Sequence, residues 1–326
     1  MASENPPGFR GAGLWAVVLG GSSGFGLASA KRLARAGLNL VIGHKDPPAA
    51  VEASLRPHFE EIRASGVELF LHNGNLFDEE ERGALLETVE QRAGRGRVHL
   101  FLHSIAAGSC RPITDAPPPA TRRDGIAMLA EALGEEGVAV PAEALQRAVN
   151  AAFHRKGCDA LYTLAESSQP DGEQTLSERD LSQTIAMMGY DYLLWGRELL
   201  ERGLLSPTAR LVALTSEGNR IAWRGYAAVS AAKAALEALC RSMAVEMAPH
   251  GVRCHVVQAG ITDTPAGNAI PGFDLMKARA RLRNPFHRLT RPEDVADAIY
   301  ALCLPMFDWA TGAVFRVDGG EAVAGG

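Results

Sequence analysis

An α/β fold, one doubly wound parallel sheet with helices on both faces, is predicted by three observations. Short apolar runs alternate with helix-length segments, a glycine-rich turn joins the first run to the first helix, and 326 residues at 47% hydrophobic content suffice for a large core. The charge balance, 33 Lys plus Arg against 38 Asp plus Glu for a net −5, offers no broad basic field, so no nucleic-acid partner is expected. No segment carries the long uncharged run of a membrane span. Residues 1–13, polar and rich in Pro and Gly, lack the apolar stretch of a signal peptide, so a flexible arm and a cytoplasmic protein, off the membrane, are expected. Cys110, Cys158, Cys240, Cys254 and Cys303 stand apart without C-x-x-C spacing; reduced thiols are expected, with neither a disulfide framework nor a metal site.

The first unit spans 14–37. Residues 14–19 form the nearly continuous apolar run of a strand buried on both faces. Gly20, Gly24 and Gly26 follow at the spacing G-x-x-x-G-x-G, and 27–36 resumes with helix formers at helical spacing. Without a Cβ, glycine permits a tight turn, close approach of backbone to a pyrophosphate, and close packing of helix on strand, while the first helical N–H groups point at the anion. Gly20, Ser22, Ser23, Gly24, Phe25 and Gly26 are therefore the expected cofactor cradle, with an ordinary tight turn as the plain alternative. The alternation continues through strand 38–43, helix 49–65, strand 67–71, helix 79–93 and strand 98–103. Residues 109–176 break it: Pro117, Pro118 and Pro119 interrupt the chain, 126–133 and 142–153 read as short helices, 169–172 reads as a turn, and no apolar strand intervenes. This stretch reads as a helical insertion in a single Rossmann-like domain, 14–326. A capping box at Ser177 and Asp180 then opens a helix to about 202, followed by strand 211–214, helix 226–247, strand 252–257, helix 293–304 and strand 313–317.

In such a sheet the ligand lies beyond the carboxyl ends of the strands. His44 and Lys45 follow the second strand, and this basic pair suits a 2′-phosphate, hence NADPH. Asp46, about twenty residues past the glycines, is the rival that would favour NADH, and a solvated loop is the third reading. Asn75 follows the third strand and is placed for the adenine edge, or for a turn beside Gly74. After the fourth, Ser104, Ile105 and Ala106 are small enough to let backbone pass near the nicotinamide ribose; His103 reads as a satisfied strand-end histidine. After the sixth, Gly260, Ile261, Thr262 and Thr264 offer free backbone groups for a carboxamide and hydroxyls for a pyrophosphate, or a cap for the next helix.

Tyr226 and Lys233 lie seven residues apart, which puts both on one face of a helix about 10 Å apart along its axis. The lysine would hold ribose hydroxyls, and its charge would lower the tyrosine pKa and ease proton donation. An interfacial tyrosine and a snorkelling lysine are the alternative. With this pair the chain resembles the short-chain dehydrogenase/reductase family everywhere except 109–176. Most members carry the tyrosine four residues before the lysine, a position held here by Val229. The seven-residue spacing resembles the divergent enoyl-acyl-carrier-protein reductase branch. So do His103, Ser104, Ile105 and Ala106, and the stretch 188–192 with Tyr190; 183–205 is also similar to the larger trans-2-enoyl reductases.

The resemblance implies that Tyr226 bonds the carbonyl of an enoyl thioester, on acyl carrier protein or CoA, while NAD(P)H delivers hydride to Cβ. It implies that Lys233 holds the nicotinamide ribose, that Tyr190 and Ser216 join the catalytic set, and that the protein is a homo-oligomer. Ser216 departs from the branch, standing where several enoyl reductases have a second tyrosine and ordinary ketoreductases a serine. A carbonyl or alcohol oxidoreductase is thus one alternative, favoured by Ser216 and opposed by Val229. A non-catalytic NAD(P)-binding sensor or scaffold is another, opposed by Tyr226 and Lys233. The insertion is expected to form a lid or wall over the acyl chain. Lys277, Arg279, Arg281, Arg283, Arg288 and Arg291 read either as a contact for a pantetheine phosphate or acidic carrier, or as solvated charges steadied by Asp274, Glu293 and Asp294.

Overall fold

The computed structural model describes residues 8–115, 121–168 and 174–325. The proline break at 117–119, the turn at 169–172 and the first seven residues of the expected arm lie outside the described residues. Seven parallel strands form one sheet: β1 (Trp15–Leu19), β2 (Asn39–His44), β3 (Leu69–Asn73), β4 (Val98–His103), β5 (Leu205–Thr215), β6 (Arg253–Ala259) and β7 (Val314–Val317). Their order is β3-β2-β1-β4-β5-β6-β7, so the winding reverses between β1 and β4. Alternation along β1 shows why its run is continuous. Trp15, Val17 and Leu19 pack under the helices Glu79–Ala93, Asp191–Glu201 and Ala227–Glu246, whereas Ala16 and Val18 pack under Gly24–Arg35, Arg56–Ala64 and Pro292–Leu302.

All seven predicted strands are present, with shifted ends. β5 starts six residues earlier than its apolar run, because Leu205 pairs with Val98 across a register shift and the intervening Pro207 and Thr208 are exposed. β3 lies two residues later than predicted and forms an edge with only half-buried side chains. The helix predicted at 49–65 contains a wide turn at Val51–Leu55. There the Arg56 N–H reaches back to the Val51 carbonyl, and Pro57, which has no N–H to give, is accommodated. The Ser177 capping box is formed, with Ser177 Oγ accepting from the Asp180 N–H at 3.1 Å, but its helix breaks into Glu178–Ile185, a wide turn Ala186–Tyr190, and Asp191–Glu201. A helix the sequence did not predict, Phe273–Arg283, carries most of the cationic run.

Two polar groups packed in and against the sheet have clear partners. His103, 1% exposed at the end of β4, places Nε2 3.1 Å from Asp191 Oδ2, the satisfied role expected of it. Tyr192 is wholly buried and donates its hydroxyl to the Leu211 carbonyl at 2.8 Å. The insertion helices Thr121–Glu135 and Ala142–Lys156 form their own small core, in which Ile126, Val149, Phe153 and Ala165 meet Ala278 of the helix Phe273–Arg283. Among the described residues no helix is long and apolar enough to cross a membrane.

Tyr192→Phe keeps the ring and removes one buried hydrogen bond between a helix and β5. Urea denaturation is expected to show a loss of about 1 kcal/mol, the usual net worth of such a bond; an unchanged midpoint would show that the hydroxyl does not tie helix to sheet.

Candidate active site

A cavity of about 210 Å³ opens beyond the carboxyl ends of the central strands, beside the β1–β4 reversal. Its rim is built by the glycine turn. Gly20 has φ +75°, and a Cβ on it would stand 2.4 Å from the Ser104 carbonyl oxygen; one on Gly26 would stand 2.1 Å from the carbonyl oxygen of Gly20. Only glycine permits either approach. The helix Gly24–Arg35 begins here without a side-chain cap, Ser23 being extended and exposed and Ser22 half-buried. Its first N–H groups therefore lack a side-chain acceptor, and a phosphate anion fits that end. Phe25, Ser104, Ile105 and Ala106 line the cavity beside it.

After β2 the pair His44 and Lys45 divides. His44 is 2% exposed, its ring against Phe59 and its Nδ1 2.9 Å from Asp46 Oδ2, so it is not a phosphate contact; packing has turned it inward. The same bond occupies the rival acid Asp46. Lys45 is exposed and donates to Asn75 Oδ1 at 3.5 Å, which brings these two candidates together. After β6, Thr262 donates to the Gly260 carbonyl at 2.9 Å. Thr264 Oγ1 accepts the Gly267 N–H at 3.1 Å and so caps a short helix, while its methyl group would lie 3.3 Å from a Cβ on Gly24. The backbone donor expected to be free at Ile261 is taken: Glu321 Oε2 accepts it at 3.2 Å.

Tyr226 is the residue before the helix Ala227–Glu246, and its hydroxyl lies 3.2 Å from Ser216 Oγ. Gly218 makes room for the ring, since a Cβ there would stand 2.3 Å from Tyr226 Cε1. Lys233 is 6% exposed two turns further on and also lines the cavity. Burial brings its pKa down to about 8, partly offset by Glu237. The expectation that this lysine lowers the Tyr226 pKa is corrected. Burial raises it, and only the Ser216 hydroxyl pulls the other way, so Tyr226 remains a neutral phenol with a proton to give. Tyr190 is also corrected: it is 43% exposed and does not line the cavity. The wide turn buries its neighbours Met188 and Gly189 instead, with Gly189 close to the Ala232 carbonyl.

Sequence reasoning missed an ionic cluster in the cavity wall. Arg283 Nη2 donates to Glu217 at 2.7 and 2.8 Å and to Glu321 at 3.3 Å, with Asp318 nearby in the same wall. The signal was available, because Glu217 comes two residues after β5 and Asp318 and Glu321 follow β7, the same strand-end positions inspected elsewhere. Four more of the cationic run also have side-chain partners: Lys277 pairs with Asp263, Arg281 with Asp159 and Arg288 with Asp294, and Arg279 lies over the Trp223 ring at 5.0 Å, while Arg291 gives its backbone N–H to Asp294. Arg283 faces inward, so it is not part of a surface for a carrier.

The family profile described as enoyl-(acyl carrier protein) reductase matches residues 127–321, more than half of the chain, and that of short chain dehydrogenase matches 14–123. The chain belongs to the short-chain dehydrogenase/reductase family. It is 36% identical over 123 residues to the enoyl-acyl-carrier-protein reductase (NADH) FabI of Escherichia coli strain K12, covering 38% of this chain and 47% of that protein. It is 34% identical over 127 residues to cis-4-hydroxycyclohexanecarboxylate dehydrogenase of Sinomonas cyclohexanicum, covering 39% and 50%. The matched stretch thus spans about half the length of these curated relatives. Among solved structures, the enoyl-acyl-carrier-protein reductase (NADH) of Aquifex aeolicus VF5 superposes with TM-score 0.68 at 22% identity over 98% of this chain and 99% of that one. The 3-ketoacyl-(acyl-carrier-protein) reductase of Brucella melitensis complexed with NADH gives 0.66 at 19% over 97% and 100%. At these identities the two structures establish the fold.

Glu321 titrates near 7 rather than 4.5, chiefly because it is buried and secondly because Glu217 is close. Between those values the folded chain keeps a proton that the unfolded chain has released, so this contribution to stability is complete below 4.5 and is lost as pH rises through 7. Glu321→Gln should therefore gain stability relative to wild type across that interval. Denaturant midpoints at its two ends test this, and a difference that stays constant with pH would contradict it.

Proposed function

We propose that the protein is an NAD(P)H-dependent oxidoreductase that reduces the C2–C3 double bond of an enoyl thioester carried on acyl carrier protein or CoA. The observation that carries this reading is the pair formed by half-buried Tyr226 and buried Lys233, two turns apart in one cavity, with Val229 buried at the intervening position where ordinary reductases of the family have tyrosine. A reduced nicotinamide held by the glycine turn would supply the hydride. The chain's own residues do the rest. Tyr226 holds its proton at the phenol oxygen and points it at the substrate carbonyl, Ser216 orients that hydroxyl, and Lys233, charged below about 8, would hold ribose hydroxyls. The apolar lining Ile105, Met188, Val229, Ile270 and Phe273 would take the acyl chain. Of the insertion, Cys110 lines the cavity directly; its helices reach the site through Phe273–Arg283, which suits a wall or lid. A homo-oligomer and a single domain over 14–326 belong to the same proposal.

The Ser216–Tyr226 contact favours a second reading, reduction of a carbonyl group, and the dehydrogenase among the relatives belongs to that class of chemistry. Oxidation of NADPH and NADH followed with a crotonyl thioester and, separately, a β-keto thioester decides between the two. Turnover of the β-keto substrate alone would reject the first. Tyr226→Phe is expected to lower turnover by about 10²–10⁴ while leaving cofactor affinity within error, as for a positioned proton donor; full activity in this variant would remove Tyr226 from the mechanism.

NADPH is the proposed cofactor, because Lys45 is exposed beside Asn75 and the nearest acid, Asp46, is bonded to His44. The Escherichia coli relative is an NADH enzyme, so the preference is a point of divergence from it. Lys45→Ala should weaken NADPH by more than NADH, since a 2′-phosphate loses its cation. Fluorescence titration with both cofactors measures this; equal losses, or a larger one for NADH, would assign Lys45 no part in the choice.

A further inference from the structure

Arg283 ends the helix Phe273–Arg283, and one terminal nitrogen of its guanidinium joins two carboxylates that line the cavity. Nη2 donates to Glu217 Oε1 and Oε2 at 2.8 and 2.7 Å and to Glu321 Oε1 at 3.3 Å. Glu217 follows Ser216, whose hydroxyl meets that of Tyr226; Glu321 accepts the N–H of Ile261 in the loop after β6. These side chains are interior, Arg283 and Glu217 each 11% exposed and Glu321 2%. We propose that Arg283 is a positioning residue, which through two carboxylates fixes the loop carrying the proton donor's partner against the loop that meets the nicotinamide. This rests on the reading of the cavity as a nicotinamide and thioester site.

The argument is electrostatic. Glu321 faces Glu217 from the loop after β5, Asp318 from the loop after β7, Arg283 from the helix, and the Ile261 N–H from the loop after β6. Without the guanidinium, two buried carboxylates would confront each other with no cation between them, an arrangement strongly unfavourable in a poorly solvated wall. Relief comes by protonation or by movement toward water, and either carries backbone with it. Glu217 is continuous with Ser216 and with Gly218, on which the Tyr226 ring rests. Glu321 would release Ile261. The helix is held at this setting from its other side by the insertion: Arg281 makes two bonds of 2.6 Å to Asp159, and Asp274 accepts from Ser167 and Ser168.

The test uses the full chain as wild type, R283Q, R283K, E321Q and R283Q/E321Q. NADPH and NADH binding is read by nicotinamide fluorescence about one unit below and one unit above the Glu321 titration near 7. R283Q is expected to bind about tenfold more weakly at the higher pH, the scale of breaking a buried charge pair, and nearly normally at the lower, where Glu321 carries a proton. R283K should fall between, and R283Q/E321Q should recover affinity and keep only the pH dependence that Lys233, titrating near 8, gives every variant. Wild-type binding by R283Q at both pH values, or a pH-independent loss that E321Q does not relieve, overturns the proposal. If R283Q does not fold, E321Q alone should flatten the pH dependence of binding, and an unchanged dependence overturns it as well. No arm uses a thioester, so a wild type that binds cofactor but reduces no enoyl thioester refutes the proposed function alone; one that binds neither cofactor refutes both.

Discussion

The approach of Gly26 to the Gly20 carbonyl is the constraint on which the site depends. It seats the first helix directly on the end of β1, so that the helix starts at the sheet edge rather than beyond a longer loop. Gly20 in turn lies against the Ser104 carbonyl at the end of β4, which holds together the two strands where the winding reverses. Strands on either side of that point send their crossovers in opposite directions, and the gap left between them is the cavity. Any side chain at Gly20 or Gly26 would separate β1, β4 and the helix, and the anion-binding end would no longer face the rest of the site.

Burial and charge compete inside this cavity, and burial wins at both residues of the central pair. Lys233 is displaced toward neutrality although Glu237 lies one turn away, because the loss of solvation on burial outweighs the carboxylate's attraction. Tyr226 is displaced toward its protonated form despite the Ser216 hydroxyl. A phenol that resists ionisation is suited to donating a hydrogen bond to a developing oxyanion, whereas a tyrosinate would have to be reprotonated first.

What was legible in the sequence was local. The strand runs, the glycine turn, the Ser177 cap and the spacing of Tyr226 to Lys233 each depend on residues within two or three turns of one another, so pattern alone locates them. The misreadings involve partners distant in sequence. His44 looked like a phosphate ligand until Phe59, from the following helix, packed against its ring. The start of β5 was hidden because Ser206, Pro207 and Thr208 look like a turn unless Val98 is known to lie alongside. The helix Phe273–Arg283 has a polar sequence whose few apolar positions make sense only against the insertion, and its last arginine only against acids 66 and 38 residues away.

That cluster also bears on which chemistry the cavity can host. Its lining includes Glu217, Asp318 and Glu321, the first and last joined by the Arg283 guanidinium, and the apolar side chains Ile105, Met188, Val229 and Phe273. An aliphatic chain laid against the charged groups would strip solvent from carboxylates and offer no hydrogen bond in return, which is unfavourable by far more than the apolar contact gains. The apolar lining is therefore the place for such a chain, and it runs past the Tyr226 hydroxyl. There the residue one helical turn before Lys233 is decisive. A tyrosine in place of Val229 would bring a second hydroxyl to a surface now shared with Met188 and Ala232, whereas valine leaves Tyr226 and Ser216 as the hydroxyl pair facing the chain. A substrate carbonyl polarised by that pair and followed by an apolar tail is the arrangement that the proposed enoyl thioester supplies.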